Sequence, residues 1–420
     1  MLSAFAKKDF INTKWFIAEK LIQLLVGVFI VPKIFNSLGA IDIGGLKYVE
    51  SIMGMLAPLF FLSLAEIGIR EIIYNSSNTK IILSTSLYLR IASWGLVSLG
   101  VVSYLLIFDK IDLFGLYIII AISYLLRVTD VAEYYLQAKR MVKIIFISKI
   151  ISLLIISSLQ YYGVTHNLDV YFFAKILALD FLIQGMIYFL IFKFKFGYEI
   201  EIPKFSKSMA ANLLKSSFPL IISQLLVSFY ITIDDIFLKY YHGTEAVGIF
   251  SLVQFLVITL TWSIGFSIIN ALFPSLAMSY QNENKQKYYV KIVSLFRTLI
   301  YLGMIIGVSF TLFGDLILNN YFSESYSVAS LPLKIFSWAP LIIFVGMLLE
   351  KHLIITSNIQ KNIYRFVLGI VVFTILSYLL VPKWSIIGVS IAVLISHFVV
   401  NIGYMFIDRD IRKQLVSLFY

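Results

Sequence analysis

Long apolar runs follow one another along these 420 residues with little between them. That constrains the chain more than any other feature. A helix needs about 20 predominantly apolar residues to cross about 30 Å of hydrocarbon. On that scale the runs predict roughly twelve spans, at 14–35, 48–74, 81–107, 113–136, 142–162, 170–192, 212–238, 245–275, 289–314, 330–356, 363–381 and 385–407. They are continuous rather than alternating, so a transmembrane barrel is not expected. Composition agrees: 60% of the residues are hydrophobic and 14% charged, with a mean hydropathy of +0.92. No soluble domain could keep so much apolar surface from water. The expected fold class is an all-α polytopic membrane protein.

Charge sets an orientation. Of the 34 Lys and Arg, 22 fall in the stretches 7–14, 70–80, 139–143, 193–215, 285–291, 351–365 and 409–413. The opposite loops carry seven: Lys33, Lys47, Lys110, Lys175, Lys239, Lys334 and Lys383. Five more, Lys20, Arg90, Arg127, Lys149 and Arg297, lie inside spans. The basic side is expected to be cytoplasmic, which puts both termini in the cytoplasm and makes the span count even. The net charge of +11 then reflects topology and attraction to anionic headgroups. No soluble basic domain exists to hold a nucleic acid. The first run ends in Val31-Pro32-Lys33 without a small-x-small pattern, so it reads as a retained span rather than a leader. Cysteine is absent, which excludes disulfides and thiolate metal sites.

The chain divides near 199–211 into an N-terminal bundle of six helices over 1–198 and a C-terminal bundle of six over 212–420. A short echo relates the halves. Gly39-Ala-Ile-Asp-Ile-Gly44 follows the first span, and Gly243-Thr-Glu-Ala-Val-Gly248 follows the seventh. Six spans per half give both halves the same membrane orientation, as in transporters that rock two bundles about a central cavity. Pro58, Pro219, Pro274 and Pro340 lie inside spans and predict kinks, either static or hinge-like.

Charges inside spans are the candidate functional groups. Arg127, Asp130 and Glu133 recur every three residues and share one stripe of the fourth span. Each central charge costs about 2.5–3.5 kcal/mol if it faces lipid. The stripe must therefore face water or a partner. Arg90 lies about 14 Å into the third span, beyond easy snorkelling, and Asp180 is similarly deep in the sixth. An internal ion-pair network and a water-filled substrate cavity both satisfy the energetics. Lys20, Lys149 and Arg297 are shallower, and snorkelling explains them as well as ligand binding does. Glu66 and Arg70 suit a structural pair. The adjacent Asp234 and Asp235, near the outer end of the seventh span, suit a cation or proton site; capping and outer-surface solvation are the alternative. A second echo pairs Asp130 in the fourth span with Glu350 in the tenth.

Catalytic signatures are missing. There is no G-x-x-x-x-G-K-[ST] phosphate loop, no H-E-x-x-H and no G-x-S-x-G, and the four His are scattered. No catalytic residue, metal site or cofactor is expected, and the chain does not read as an enzyme.

The seventh and eighth spans carry a recognisable arrangement: Leu213-Leu214-Lys215-Ser216-Ser217-Phe218-Pro219-Leu220, then Asp234-Asp235, Gly243-Thr-Glu-Ala-Val-Gly248-Ile-Phe-Ser and Ala271-Leu272-Phe273-Pro274. The first half adds Gly44-Gly45-Leu46-Lys47-Tyr48, Ala65-Glu66-Ile67-Gly68-Ile69-Arg70 and Gln137-Ala138-Lys139-Arg140. The chain resembles the bacterial polysaccharide (O-antigen, Wzx-type) repeat-unit flippases of the multidrug/oligosaccharidyl-lipid/polysaccharide (MOP) exporter superfamily. Glu66 departs mildly from the Asp usual there. The resemblance implies a MATE-like fold and transfer of an undecaprenyl-diphosphate-linked oligosaccharide between leaflets of the bacterial inner membrane, by alternating access. The residues inside spans fit that reading: Arg90 and Arg127, with Lys20, Lys149 and Arg297, would offer cations to diphosphate or acidic sugars. Asp130, Asp180, Asp234, Asp235 and Glu350 would be cavity acids, some binding H⁺ or Na⁺ as the coupling ion. Expected partners are the lipid-linked oligosaccharide, membrane lipids, a polysaccharide polymerase and a chain-length regulator. A multidrug cation antiporter of the same superfamily and a membrane polysaccharide polymerase are the competing readings.

Overall fold

The computed structural model describes residues 2–108, 112–195, 204–282, 285–356, 358 and 360–407. Among them the helices run in the order α1 (Leu2–Met55), α2 (Ala57–Phe61), α3 (Leu64–Tyr74), α4 (Thr79–Ile107), α5 (Phe114–Leu126), α6 (Val131–Ala138), α7 (Val142–Thr165), α8 (Val170–Lys195), α9 (Lys207–Asn282), α10 (Lys285–Tyr321), α11 (Ser330–Phe336), α12 (Ala339–Ile355), α13 (Gln360–Phe398) and α14 (Tyr404–Ile407). Tight 3-10 turns cover Ser76–Asn78, Arg127–Asp130 and Glu324–Ala329, and a π-helical turn covers Val399–Gly403.

Eight described helices are long and apolar enough to cross a membrane, and Glu324–Phe336 with Ala339–Ile355 makes a ninth run bent by 49°. Three of these runs are interrupted by one residue outside helical dihedrals: Gly39 in α1, Gly243 in α9 and Ser385 in α13. Length demands such breaks. The 76 residues of α9 would extend about 114 Å if straight, several times the thickness of the hydrocarbon. Divided at the breaks, the described runs form twelve segments that coincide in order with the predicted spans. Their ends overrun the hydropathy limits, as with α9 beginning at Lys207 rather than 212. Polar residues at a span's end leave the hydrocarbon without having to leave the helix.

Gly39 and Gly243 head the two sequence echoes and share one conformation, φ 74° with ψ 172° and φ 79° with ψ −173°. That region of backbone space is essentially confined to glycine. Two of the prolines sit where helices restart: Pro58 in the first turn of α2 and Pro340 in the first turn of α12. There the missing N–H costs nothing, and the ring's fixed φ suits the helix.

Large apolar side chains face outward. Phe29, Leu96 and Leu312, on α1, α4 and α10, are 72%, 73% and 66% exposed. Such surfaces are liabilities in water and ordinary in lipid. The chain is a multi-pass membrane protein.

The residues pack into two compact units, Met1–Leu38 with Tyr48–Thr232, and Gly39–Lys47 with Ile233–Tyr420. Packing and sequence order partition the chain differently. Residues 207–232 of α9 follow the linker in sequence yet belong to the first unit. There Leu213 joins Leu64, Ile67, Ile72, Ile82, Val131 and Tyr134 in a core of α3, α4, α6 and α9. A second core of that unit joins Leu136, Ile145 and Tyr188, and a third joins Ile156, Phe173 and Ile176. In the other unit Val345, Leu349 and Leu353 of α12 pack on Tyr404 and Met405 of α14.

Candidate functional site

The first unit gathers its charges around two helix breaks. The span made by α5 and α6 is interrupted at Arg127–Asp130, where the amide of Val131 bonds to the carbonyls of Val128 and Thr129. The carbonyl of Arg127 thereby loses the Val131 amide, its partner in a regular α-helix. Arg90, in the middle of α4 and only 2% exposed, takes it up. Its Nη2 donates to that carbonyl at 3.0 Å, and its Nη1 donates to the Tyr134 hydroxyl at 3.3 Å. Its Nε has no hydrogen-bond partner, and no described carboxylate forms an ion pair with it. A guanidinium buried without a counter-charge is expensive. Such a group favours an anion within reach.

The 3-10 turn also acts on Arg127 directly. With three residues per turn, positions i and i+3 eclipse, and Arg127 Nε sits 3.0 Å from Asp130 Oδ2. The α-helical stripe expected from the sequence is thus tighter at this pair. The Arg127 side chain stays 41% exposed. Its guanidinium carbon lies 4.8 Å from the Phe61 ring centre and 5.2 Å from that of Phe181.

The remaining charge of the stripe is paired. Glu133 accepts the Tyr188 hydroxyl at 2.8 Å and lies 3.6 Å from Lys149 Nζ. Snorkelling therefore does not describe Lys149. Lys20, on α1, bonds to Gln23 Oε1 at 3.0 Å and stands 3.8 Å from the buried Glu19. Asp180, for which an ion-pair network and a water-filled cavity were both open, accepts neutral donors: the Ser152 hydroxyl at 2.5 Å and Gln184 Nε2 at 2.8 Å. Of the two arrangements open from sequence, internal ion pairing describes Arg127–Asp130 and Lys149–Glu133. Arg90 has no such partner.

In the second unit, Asp234 and Asp235 are both 4% exposed. Burial removes the outer-surface solvation reading. Asp234 accepts Gln254 Nε2 at 2.6 Å and the backbone amide of Asp235 at 3.1 Å. Two adjacent buried carboxylates favour an accompanying positive charge. Arg297 is exposed on α10. Glu350 is half-buried on α12 and has no hydrogen bond or ion pair among the described residues.

Sequence reasoning missed two arginine environments. Arg365 was placed in the basic loop 351–365; it is a buried residue of α13, 2% exposed. Its Nη1 donates to Asn362 Oδ1 at 2.8 Å, Nη2 to Asn401 Oδ1 at 2.9 Å, and Nε to the Val400 carbonyl at 3.2 Å. A run of apolar residues following Arg365 was the available signal that the helix had already begun. Phe61 went unnoticed as one of 36 Phe, and nothing local distinguishes it.

The chain matches the model of the polysaccharide biosynthesis protein family over residues 11–280. It is 28% identical over 224 residues to the capsular polysaccharide biosynthesis protein CapF of Staphylococcus aureus, a match covering 52% of this chain and 54% of that one. The alignment thus spans about half the length of the curated relative. Among solved structures, an inward-facing MATE family multidrug resistance transporter of the MOP superfamily superposes with a TM-score of 0.70 at 13% identity, covering 97% of this chain and 95% of that one. A MOP superfamily transporter from Pyrococcus furiosus, described as having a binding pocket of reversed polarity, gives 0.66 at 13% identity over 97% and 96% of the two chains. These likenesses establish the fold.

Proposed function

Because the chain belongs to the polysaccharide biosynthesis protein family, we propose that it is a flippase. It would carry an oligosaccharide linked to undecaprenyl diphosphate from the cytoplasmic to the periplasmic leaflet of the bacterial inner membrane. The family supplies the polysaccharide context, and the MOP fold supplies the precedent for transport. The single observation that carries the substrate's chemistry is Arg90, a buried guanidinium with no carboxylate partner among the described residues, beside the half-exposed Arg127. A diphosphate linkage is the group such a pair suits, because guanidinium forks match phosphoryl oxygens in geometry as well as charge. Lys20 and Lys149 add positive potential nearby and are partly neutralised by Glu19 and Glu133.

In this reading both termini are cytoplasmic, following the charge bias of the loops. The product would pass to a polymerase and its chain-length regulator. An inside-negative potential already favours outward movement of an anion, by about 2.3 kcal/mol per charge per 100 mV. Resetting the carrier would then fall to a cation bound at Asp234 and Asp235, H⁺ or Na⁺. That buried acidic pair is also the feature that favours the second reading, a cation antiporter.

The test is a leaflet assay in a deletion strain carrying either wild type or the double variant Arg90→Gln, Arg127→Gln. Loss of surface polysaccharide, with lipid-linked units held facing the cytoplasm, is the expected result. Units that reach the periplasm yet remain unpolymerised would overturn it in favour of a polymerase. Unchanged polysaccharide together with sensitivity to cationic drugs would favour the antiporter.

A further inference from the structure

Two guanidiniums share one phenyl ring. The guanidinium carbon of Arg90 lies 4.7 Å from the centre of Phe61, and that of Arg127 lies 4.8 Å from the same centre. The negative faces of an aromatic ring attract cations within about 6 Å of its centre. Like charges this close repel, and a ring that attracts both offsets part of that repulsion while setting their separation. We propose that Phe61 is a positioning residue. It holds Arg90 and Arg127 as a fixed two-pronged receptor for a diphosphate, and so selects anions that carry two phosphoryl groups over those that carry one. The inference rests on the proposal that this unit binds a phosphoryl anion.

The backbone around Phe61 is built to hold it. α2 is five residues long and ends at Phe61. Leu62 and Ser63 follow, both in the left-handed region at φ 52° and 46°. Two consecutive non-glycine residues there are strained, and such conformations persist only where surrounding contacts over-determine them. Those contacts are present. The Ser93 hydroxyl of α4 donates to the Leu59 carbonyl at 2.6 Å, and the Ser63 hydroxyl donates to Gln224 Oε1 of α9 at 2.7 Å. Tyr124 of α5 meets Phe60 edge-on at 5.0 Å and Phe61 at 5.3 Å. The break after Phe61 and the break at Arg127–Asp130 thus bring their side chains to one place. One supplies the ring and the other a cation together with the carbonyl that anchors the second cation.

Charge favours an anion here. Asp130 engages only the Nε edge of Arg127, which leaves that residue's terminal nitrogens without a described hydrogen bond. Arg90 contributes a charge that no described carboxylate neutralises. The Phe181 ring centre also lies 5.2 Å from the Arg127 guanidinium carbon. A single carboxylate or monophosphate can use one guanidinium fully. A diphosphate can bridge both.

The test is binding of inorganic pyrophosphate and of inorganic phosphate to the purified full-length protein in detergent, with the melting midpoint as a folding control. Pyrophosphate should bind the wild type more tightly than phosphate does. Phe61→Leu should weaken pyrophosphate by about tenfold while leaving phosphate nearly unchanged, in line with the loss of two cation–π contacts. Phe61→Tyr, which keeps the ring, should restore pyrophosphate binding. If Phe61→Leu does not fold, Phe181→Leu should still weaken pyrophosphate severalfold through Arg127 alone. Equal weakening of both anions, or no recovery with Tyr, would show that the ring only fills space and would overturn the inference. Pyrophosphate binding lost in Arg90→Gln but untouched in folded Phe61→Leu would overturn the role of Phe61 and leave the flippase reading intact. Binding indifferent to both arginines would overturn the receptor itself, and the inference with it.

Discussion

Gly44 and Gly248, matching positions in the two sequence echoes, press their backbones together. A Cβ on Gly44 would collide with the Thr244 carbonyl oxygen and fall 2.7 Å from the Gly248 amide nitrogen. A Cβ on Gly248 would collide with the Ala40 carbonyl oxygen and fall 3.0 Å from the Gly44 nitrogen. Both obstacles are backbone, which cannot swing aside as a side chain can. Gly44→Ala and Gly248→Ala are each expected to destabilise the protein by at least the about 1–3 kcal/mol typical of overpacking. Gly95→Ala on α4, where the new methyl meets nothing within 4 Å, should be neutral or gain about 0.5–1 kcal/mol. Melting midpoints in detergent test this ordering, and equal midpoints for all three variants would refute it.

The pair Glu133–Lys149 gives a prediction about uncompensated charge. Removing one partner of a buried pair costs about 3–5 kcal/mol. The 27% exposure of the Lys149 side chain places this pair below that range. Lys149→Met should lower the melting midpoint, because Glu133, 13% exposed, loses its counter-charge and keeps only the Tyr188 hydroxyl. Adding Glu133→Gln to that variant should recover part of the loss. A strictly additive double variant would mean that the two charges do not interact.

Asp234→Asn keeps an acceptor for Gln254 Nε2 and removes the ionisable carboxyl. The folded protein is expected to persist, while transport in proteoliposomes loses its dependence on whichever gradient, H⁺ or Na⁺, drives the wild type. Undiminished gradient dependence in the Asn variant would remove Asp234 from the coupling step.

Arg365 and Arg297 should respond oppositely to the same change. Arg365→Met strips donors from Asn362, Asn401 and the Val400 carbonyl, and each buried polar group left unsatisfied costs about 1–3 kcal/mol. Arg365→Lys should also be damaging, since an ammonium cannot reproduce a planar fork that serves three acceptors. Arg297→Met, on an exposed position, should change the melting midpoint little. Equal effects at both positions would contradict the burial described for Arg365.

Membrane insertion, the order of the spans and the family resemblance were all legible in the amino-acid sequence. Those properties depend on stretches of about 20 residues, where hydropathy adds up and local detail averages out. The echo at Gly39 and Gly243 was legible for a related reason. Only glycine adopts that backbone conformation easily, so the requirement shows in the letters themselves. The breaks at Leu62–Ser63 and Arg127–Asp130 were not legible, because these are ordinary residues whose conformations are imposed by contacts with other helices. The pairing of charges was equally hidden. Arg90, Arg365 and Arg297 look alike as isolated cations in or near apolar runs. Packing alone made the first a buried group without a counter-charge, the second a structural fork and the third an exposed side chain. A cation's role is set by what lies within a few ångströms of its head group, and those neighbours come from distant parts of the chain: Phe61 and Tyr134 for Arg90, Asn401 for Arg365. Sequence determined that this chain crosses a membrane many times and which charges it carries there. Tertiary structure decided which of those charges are already satisfied, because pairing falls off over a few ångströms and only folding brings the partners that close.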